Sequence, residues 1–184
     1  MEKVLLHICC GVCASYCIQE LKRQGFYVEG IFFNPNIHPR DEYLRRKQTA
    51  KFVASINGIA LVEDTYDSSN WLKLCGRHNK DKEGGLRCCL CYELRLRAVF
   101  EASKEKNFDY FTTTLTVSPH KKNSTIFEIA KTVGGSRFLV IDFKKNDGFK
   151  KTIALAKKES LYRQNYCGCE FSKKTIEKGT GNES

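Results

Sequence analysis

The junction Val4-Leu5-Leu6-His7-Ile8-Cys9-Cys10-Gly11-Val12-Cys13 constrains the chain more than any other stretch. A short apolar run without alternation is the pattern of a strand buried on both faces, and so of a parallel sheet. From Ala14 to about Gln24 the apolar spacing turns helical, and Gly25 stands where a helix C-cap belongs. Strand, tight turn and helix make up the repeating unit of open α/β sheets, whose ligands lie beyond the carboxyl ends of the strands. A nucleotide-binding protein carries glycines at such a turn. Here it carries three thiols, so the expectation is a metal or iron–sulfur centre on which the other cysteines converge.

The remaining chain repeats the alternation. Phe26 to Phe33 predicts a second strand, broken by Asn34-Pro35-Asn36. A helix over 41–56 follows, its periodicity carried by Leu44, Phe52, Val53 and Ile56, then a third strand over 59–62. Asp67-Ser68-Ser69-Asn70 is an N-cap cluster ahead of a short helix with Trp71, Leu72 and Leu74. After a polar loop, Cys89 to Lys106 predicts a strong helix, with Leu94, Ala98 and Ala102 on one face and Arg95, Arg97 and Lys104 toward solvent. Strands over 108–115 and 138–143 and helices over 124–133 and 149–162 complete the pattern. The fold class is therefore α/β, a three-layer Rossmann-like parallel sheet of about five strands with right-handed crossovers. In the doubly wound order 3-2-1-4-5, strands one and four are neighbours. The Cys9-Cys10 turn then faces Ser118-Pro119-His120-Lys121 across one crevice. One domain is expected over 1–172, with a polar tail over 173–184.

Composition narrows the chemistry. The 184 residues suffice for one sizeable core, and a formal charge of +10 favours a polyanionic partner, nucleic acid first. Nothing at the start of the sequence has the form of a signal peptide, and no run is long enough to span a bilayer, so a cytoplasmic protein without a membrane partner is expected. In that compartment structural disulfides are rare, and ten cysteines point to metal binding or redox chemistry. Ordinary core cysteines account for Cys17 and Cys75 but not for tight groups.

There are three such groups: Cys9, Cys10 and Cys13; Cys88, Cys89 and Cys91; Cys167 and Cys169. Two thiolates from the first turn and two from the C-x-x-C of Cys88 and Cys91 would complete the set for a 4Fe–4S cluster. A helix N-terminus at the C-x-x-C should favour thiolate. Zinc is the rival, since four cysteines also make a structural zinc site, although adjacent cysteines are unlike the usual knuckle spacing. A thioredoxin-like dithiol fits less well, because that motif follows an early strand rather than a polar loop. Cys167-Gly168-Cys169 admits two readings, a strained and easily reduced redox pair or two more metal ligands.

Other residues carry weaker signals. Thr112 to Lys121 is a hydroxyl-rich strand end closed by basic residues, able to bind phosphate or ribose, though threonine is also an ordinary strand former. His120 is a surface histidine before it is a catalyst, and His7, within the apolar run, is a satisfied core histidine. Arg40, Arg45, Arg46 and Lys47, Arg95 and Arg97, and Lys121 and Lys122 form basic clusters interleaved with Tyr43, Tyr92, Tyr162 and Tyr166. Singly each is a solvated helix face. Together they suit the unstacked bases of an RNA loop.

Three motifs in combination resemble the QueH-type epoxyqueuosine reductases: His7 to Cys13, Arg87-Cys88-Cys89-Leu90-Cys91-Tyr92-Glu93-Leu94-Arg95-Leu96, and Tyr166-Cys167-Gly168-Cys169-Glu170-Phe171-Ser172. Thr114 to Lys121 matches as well, and the resemblance runs from about Lys3 to Ser172. It implies an oxidoreductase of queuosine biosynthesis and tRNA processing, which reduces epoxyqueuosine at the wobble position of GUN-anticodon tRNA without cobalamin and draws on an external electron donor. The implied fold is similar to the adenine-nucleotide α-hydrolase (HUP/PP-loop) type. The implied roles are a 4Fe–4S cluster on Cys9, Cys10, Cys88 and Cys91, and a redox-active disulfide between Cys167 and Cys169. Cys13 is a catalytic candidate, as a proton donor or as ligand to an additional iron ion, with Tyr16 and Tyr166 as alternative acids. Val12 departs from a C-C-x-P-C pattern, and Cys89 is an extra. Two rivals remain at this point: a non-catalytic zinc-binding RNA module, and a tRNA thiolation-type enzyme, which would need a Ser-Gly-Gly-x-Asp-Ser loop where this chain has cysteines.

Overall fold

The structure is a computed structural model that describes residues 1–63 and 65–172. The expected tail over 173–184 lies outside the described residues. Four parallel strands form one sheet in the order β3-β2-β1-β4: β1 Lys3–His7, β2 Tyr27–Phe32, β3 Leu61–Glu63 and β4 Tyr110–Thr113. His7 pairs in register with Ile31 on one side and Thr113 on the other, so β1 is central. Among the described residues these helices connect and cover the strands: α1 Gly11–Arg23, α2 Arg40–Ile56, α3 Ser69–Cys75, α4 Leu86–Glu105, α5 Asn123–Gly134 and α6 Gly148–Lys158.

Strand alternation sorts the core into two layers. Val4, Leu6 and Ile8 pack with residues of α1, α2 and α6. Leu5 points the other way, onto Tyr92, Leu96 and Val99 of α4 and Ile126, Ala130 and Val133 of α5. The sheet is thus covered on both faces, as an all-parallel sheet requires. Helix α1 begins three residues earlier than the apolar spacing suggests. Cys10 is its N-cap, and the Cys10 sulfur accepts a hydrogen bond from the Cys13 N–H at 3.3 Å. Gly11 follows because α2 lies against it: a Cβ there would stand 2.6 Å from the Thr49 carbonyl oxygen.

Three expectations need correction. The fifth strand is reduced to a single parallel bridge between Phe111 and Phe138. β4 coils into a 3₁₀ turn over Thr114–Val117 and leaves no backbone to extend the ladder. Hydroxyls substitute: Thr112 donates to the Leu139 carbonyl and Thr116 to the Ile141 carbonyl, each at 2.9 Å. On α2 three of the four apolar residues that set the periodicity, Leu44, Phe52 and Ile56, are exposed; only the fourth, Val53, lies on the buried face, with Glu42, Tyr43, Arg46, Ala50 and Ala54. On α4 the buried face is Tyr92, Arg95, Leu96, Val99 and Ser103, so Arg95 faces inward while Arg97 is exposed.

Candidate metal and redox centre

The neighbouring ends of β1 and β4 build the centre. The Cys9 N–H donates to Thr114 Oγ1 at 3.0 Å, and that hydroxyl donates to the Cys9 sulfur at 3.2 Å. Cys9, Cys10 and Cys13 hold their sulfurs within 4.8 Å of one another, a spacing at which three thiols can hold a metal ion. Hydrogen bonds from the Cys10 and Cys13 thiols hold Cys9 well below the usual thiol range, with the Arg95 charge acting the same way. Cys13 moves the opposite way, raised by giving its proton toward Cys10 and Cys9 and by burial. Gln164 Nε2 approaches the Cys10 sulfur at 2.9 Å, and Cys10 is all but covered.

Beyond these sulfurs lies a cavity of about 940 Å³. Its walls bring together Cys9 and Cys13 from the first turn, Cys88 and Cys91 from α4, and Cys167 and Cys169 from the segment after α6. Ser118, Pro119, His120 and Lys121 line it too, so the turns after β1 and β4 border the same cavity. The three cysteine groups thus converge on one space, although Cys88 and Cys91 stand outside the compact triad. Cys10, Cys17, Cys75 and Cys89 do not line the cavity; Cys10 joins the centre through its sulfur, grouped with those of Cys9 and Cys13. Cys75 is fully buried beside Trp71, and burial pushes its thiol up to about 12.

Cys88 sits in the first turn of α4, where its sulfur accepts from the Gly84 N–H at 3.2 Å. Its thiol does not follow the expected bias toward thiolate. Burial first, then the neighbouring Cys167 and Cys91, raise its pKa. All ten cysteines are free thiols. In the redox candidate, the Cys169 N–H donates to the Cys167 sulfur at 3.4 Å across Gly168, whose φ is +102°. Only glycine adopts that backbone readily, and a Cβ would meet Ile37 Cγ1 at 2.8 Å. A hydrogen bond from Cys169, with help from Lys121 and Ser172, draws the Cys167 pKa well below the thiol range, while Cys169 is driven far above it.

Of the acids suggested by the sequence, Tyr16 lies outside the cavity, against a smaller one beside Asp142 and Phe143. Tyr166 lines the main cavity, but its hydroxyl donates to the His38 carbonyl. His7 is the satisfied core residue expected. Its ring nitrogens meet Thr113 Oγ1 at 2.8 Å and the Phe33 carbonyl at 3.1 Å, and burial drops its pKa to about 3.

The model of the family described as epoxyqueuosine reductase QueH matches residues 4–175, nearly the whole chain. The chain belongs to the epoxyqueuosine reductase QueH family. Proteins named epoxyqueuosine reductase QueH from Staphylococcus epidermidis and Streptococcus pyogenes serotype M1 are 37% and 34% identical to it. They cover 92% and 93% of this chain, which in turn spans 76% and 70% of theirs. The one from Dehalococcoides mccartyi is 31% identical over 92% of both chains. A crystal structure from Methanocaldococcus jannaschii, described as a predicted subunit of tRNA methyltransferase, superposes with a TM-score of 0.62 at 15% identity. It covers 97% of this chain and 89% of its own, and shows the shared fold.

This QueH-family chain also carries site residues that sequence reasoning missed. Arg46 and Arg95 were placed on solvated faces, yet each is almost fully buried and lines the cavity. Arg46 binds Glu42 at 2.6 Å, the carbonyls of Cys167 and Tyr166 at 3.1 Å each, and stacks over the Tyr166 ring. The available signal was Glu42 four residues before Arg46, on the same helical face as Tyr43, Ala50 and Val53.

Proposed function

We propose that this chain is an epoxyqueuosine reductase that converts epoxyqueuosine at the wobble position of GUN-anticodon tRNA to queuosine in the cytoplasm. The observation that carries the reading is the convergence of Cys9, Cys13, Cys88, Cys91, Cys167 and Cys169 on one cavity in a member of the QueH family. The surplus of basic residues, 31 against 21 acidic, suits tRNA. No described helix is long and apolar enough to cross a membrane.

The donor set fits an iron–sulfur group: soft sulfur ligands from two separate elements, the β1 turn and α4, with Cys9, Cys88 and Cys91 bordering one roomy cavity and Cys9 already biased toward its ionised form. Cys9, Cys10, Cys88 and Cys91 would hold a 4Fe–4S cluster, which when bound supplies electron transfer and a Lewis-acidic iron. The residues of the chain do the rest. Deoxygenating an epoxide to an alkene takes two electrons and two protons and releases water. With Cys167 ionised, oxidation of the Cys167 and Cys169 pair to a disulfide yields two electrons and the Cys169 proton, and the second proton comes from the acid at the leaving oxygen, so epoxide, thiolate, thiol and one proton balance against alkene, water and disulfide. An external reductant then restores the dithiol. Cys13 is the acid for the leaving oxygen, because it lines the cavity and keeps its proton. An additional iron ion beside the triad would take Cys13 as its ligand instead, and the iron content of the purified protein distinguishes the two.

The decisive experiment reduces epoxyqueuosine-containing tRNA with protein reconstituted without oxygen and weighs the released nucleosides. Queuosine formation accompanied by iron–sulfur absorption supports the reading. A colourless protein with stoichiometric zinc and no conversion would refute it. Cys9→Ala and Cys88→Ala should lose colour and turnover together, whereas Cys167→Ala should stay coloured and lose turnover.

A further inference from the structure

Arg95 is a buried charge that this scheme leaves unused. It lies on the inward face of α4, is 3% exposed, and still contributes to the cavity wall. Its Nη2 donates to Asn34 Oδ1 at 2.6 Å, and Asn34 Nδ2 donates to the Ile8 carbonyl at 2.9 Å, one residue before Cys9. Its Nε has no hydrogen-bond partner. Among the described residues no carboxylate pairs with it. Arg46, equally buried, shows the usual arrangement, with Glu42 at 2.6 Å. His7, at the end of the same strand, is buried between neutral partners and brings no negative charge.

A guanidinium withdrawn from water with only an amide partner is costly, and such a charge persists where an anion answers it. The anion that fits is sulfur: Cys9, Cys88 and Cys91 line the same cavity as Arg95, while Asp81 on that lining is engaged by the Arg87 N–H. Four thiolates outweigh the positive charge of a 4Fe–4S core, and each electron added makes the group more negative still. We propose that Arg95 is the counter-charge of the thiolate-held centre and sets its reduction potential, with Asn34 anchoring the guanidinium to the backbone just before Cys9. The inference rests on the iron–sulfur reading above. A fixed positive charge favours the reduced state, so its removal makes the centre harder to reduce.

The test is a potentiometric titration of the reconstituted protein, following bleaching of the iron–sulfur absorption. Arg95→Lys keeps the charge and loses the planar fork onto Asn34. Arg95→Gln keeps an amide donor and loses the charge. At a fixed poise the reduced-to-oxidised ratio should fall about tenfold in R95Q, ~59 mV for a one-electron couple, and stay within about twofold of the parent in R95K. Should R95Q not fold, Arg95→Met reads the same quantity. An iron-replete R95Q with the parent's potential overturns the inference alone, as does an R95K shifted as far as R95Q, which would mark a purely structural role. A parent protein that takes up no iron overturns the iron–sulfur reading and this inference together.

Discussion

Cys167 and Cys169 have nearly the same covalent surroundings and opposite chemistry. The hydrogen bond across Gly168 leaves Cys167 the thiolate and Cys169 the proton carrier. Because the Cys167 pKa lies below the ordinary thiol range, its thiolate fraction is already large at neutral pH and falls only as the solution becomes more acidic. In the metal-free protein iodoacetamide should therefore label Cys167 ahead of Cys169 and Cys75 at pH 7, with a rate that barely rises toward pH 9; mass mapping of labelled peptides checks this. The arrangement depends on Gly168. Gly168→Ala places a side chain at φ +102° against Ile37, so we expect a loss of roughly 1–3 kcal/mol in stability, read by denaturant unfolding, and loss of the Cys167 preference in labelling.

At the scale of elements, α2 serves as the clamp for the redox segment. Glu42 and Arg46 are four residues apart on its buried face. Glu42 accepts from the Tyr162 hydroxyl at 2.6 Å while Arg46 grips the carbonyls of Tyr166 and Cys167. A helix that covers the sheet thereby fixes the irregular stretch from Tyr162 to Cys169. Replacing Arg46 with Met leaves Glu42 buried without its cation, a change that costs roughly 3–5 kcal/mol when such a pair is broken. The expected outcome is a lower melting temperature and at least a tenfold fall in turnover, with iron content per chain retained. Loss of iron in R46M would show that the clamp holds the metal site instead. The Thr112 and Thr116 hydroxyls perform a similar task for 138–141. Thr112→Val and Thr116→Val should each cost about 1 kcal/mol by denaturant unfolding.

For the molecule as a whole, the order β3-β2-β1-β4 puts the ends of β1 and β4 side by side, at the point where the connections reverse direction. Loops leaving a parallel sheet there diverge and open a crevice. The cysteines come from three regions separated by scores of residues, and a cluster held on Cys9, Cys10, Cys88 and Cys91 would tie the β1 turn to α4. Such binding stabilises only the folded chain. Removing iron with a chelator should lower the melting temperature by several degrees, and anaerobic reconstitution should restore it; equal melting of both forms would mean that the thiols do not share one bound group.

Much of this was legible in the linear chain because it is written in local chemistry. The strand-turn-helix start, the cysteine spacings, the glycine between Cys167 and Cys169 and the alternation of strands and helices each depend on residues a few positions apart, where backbone geometry is dictated by near neighbours. Which face of α2 and α4 turns inward was not legible. Leu44, Phe52 and Ile56 are apolar yet exposed, while Arg46 and Arg95 are charged yet buried. The reason is energetic: a guanidinium goes inside only when distant partners satisfy it, and Cys167, Tyr166 and Asn34 are brought to those arginines by the tertiary fold alone. The fifth strand failed for a kindred reason, since a ladder needs a neighbour that stays extended and β4 coils away at Thr114. Sequence thus determined the thiols and the scaffold that carries them; only the folded structure decided which charges stand beside the sulfur.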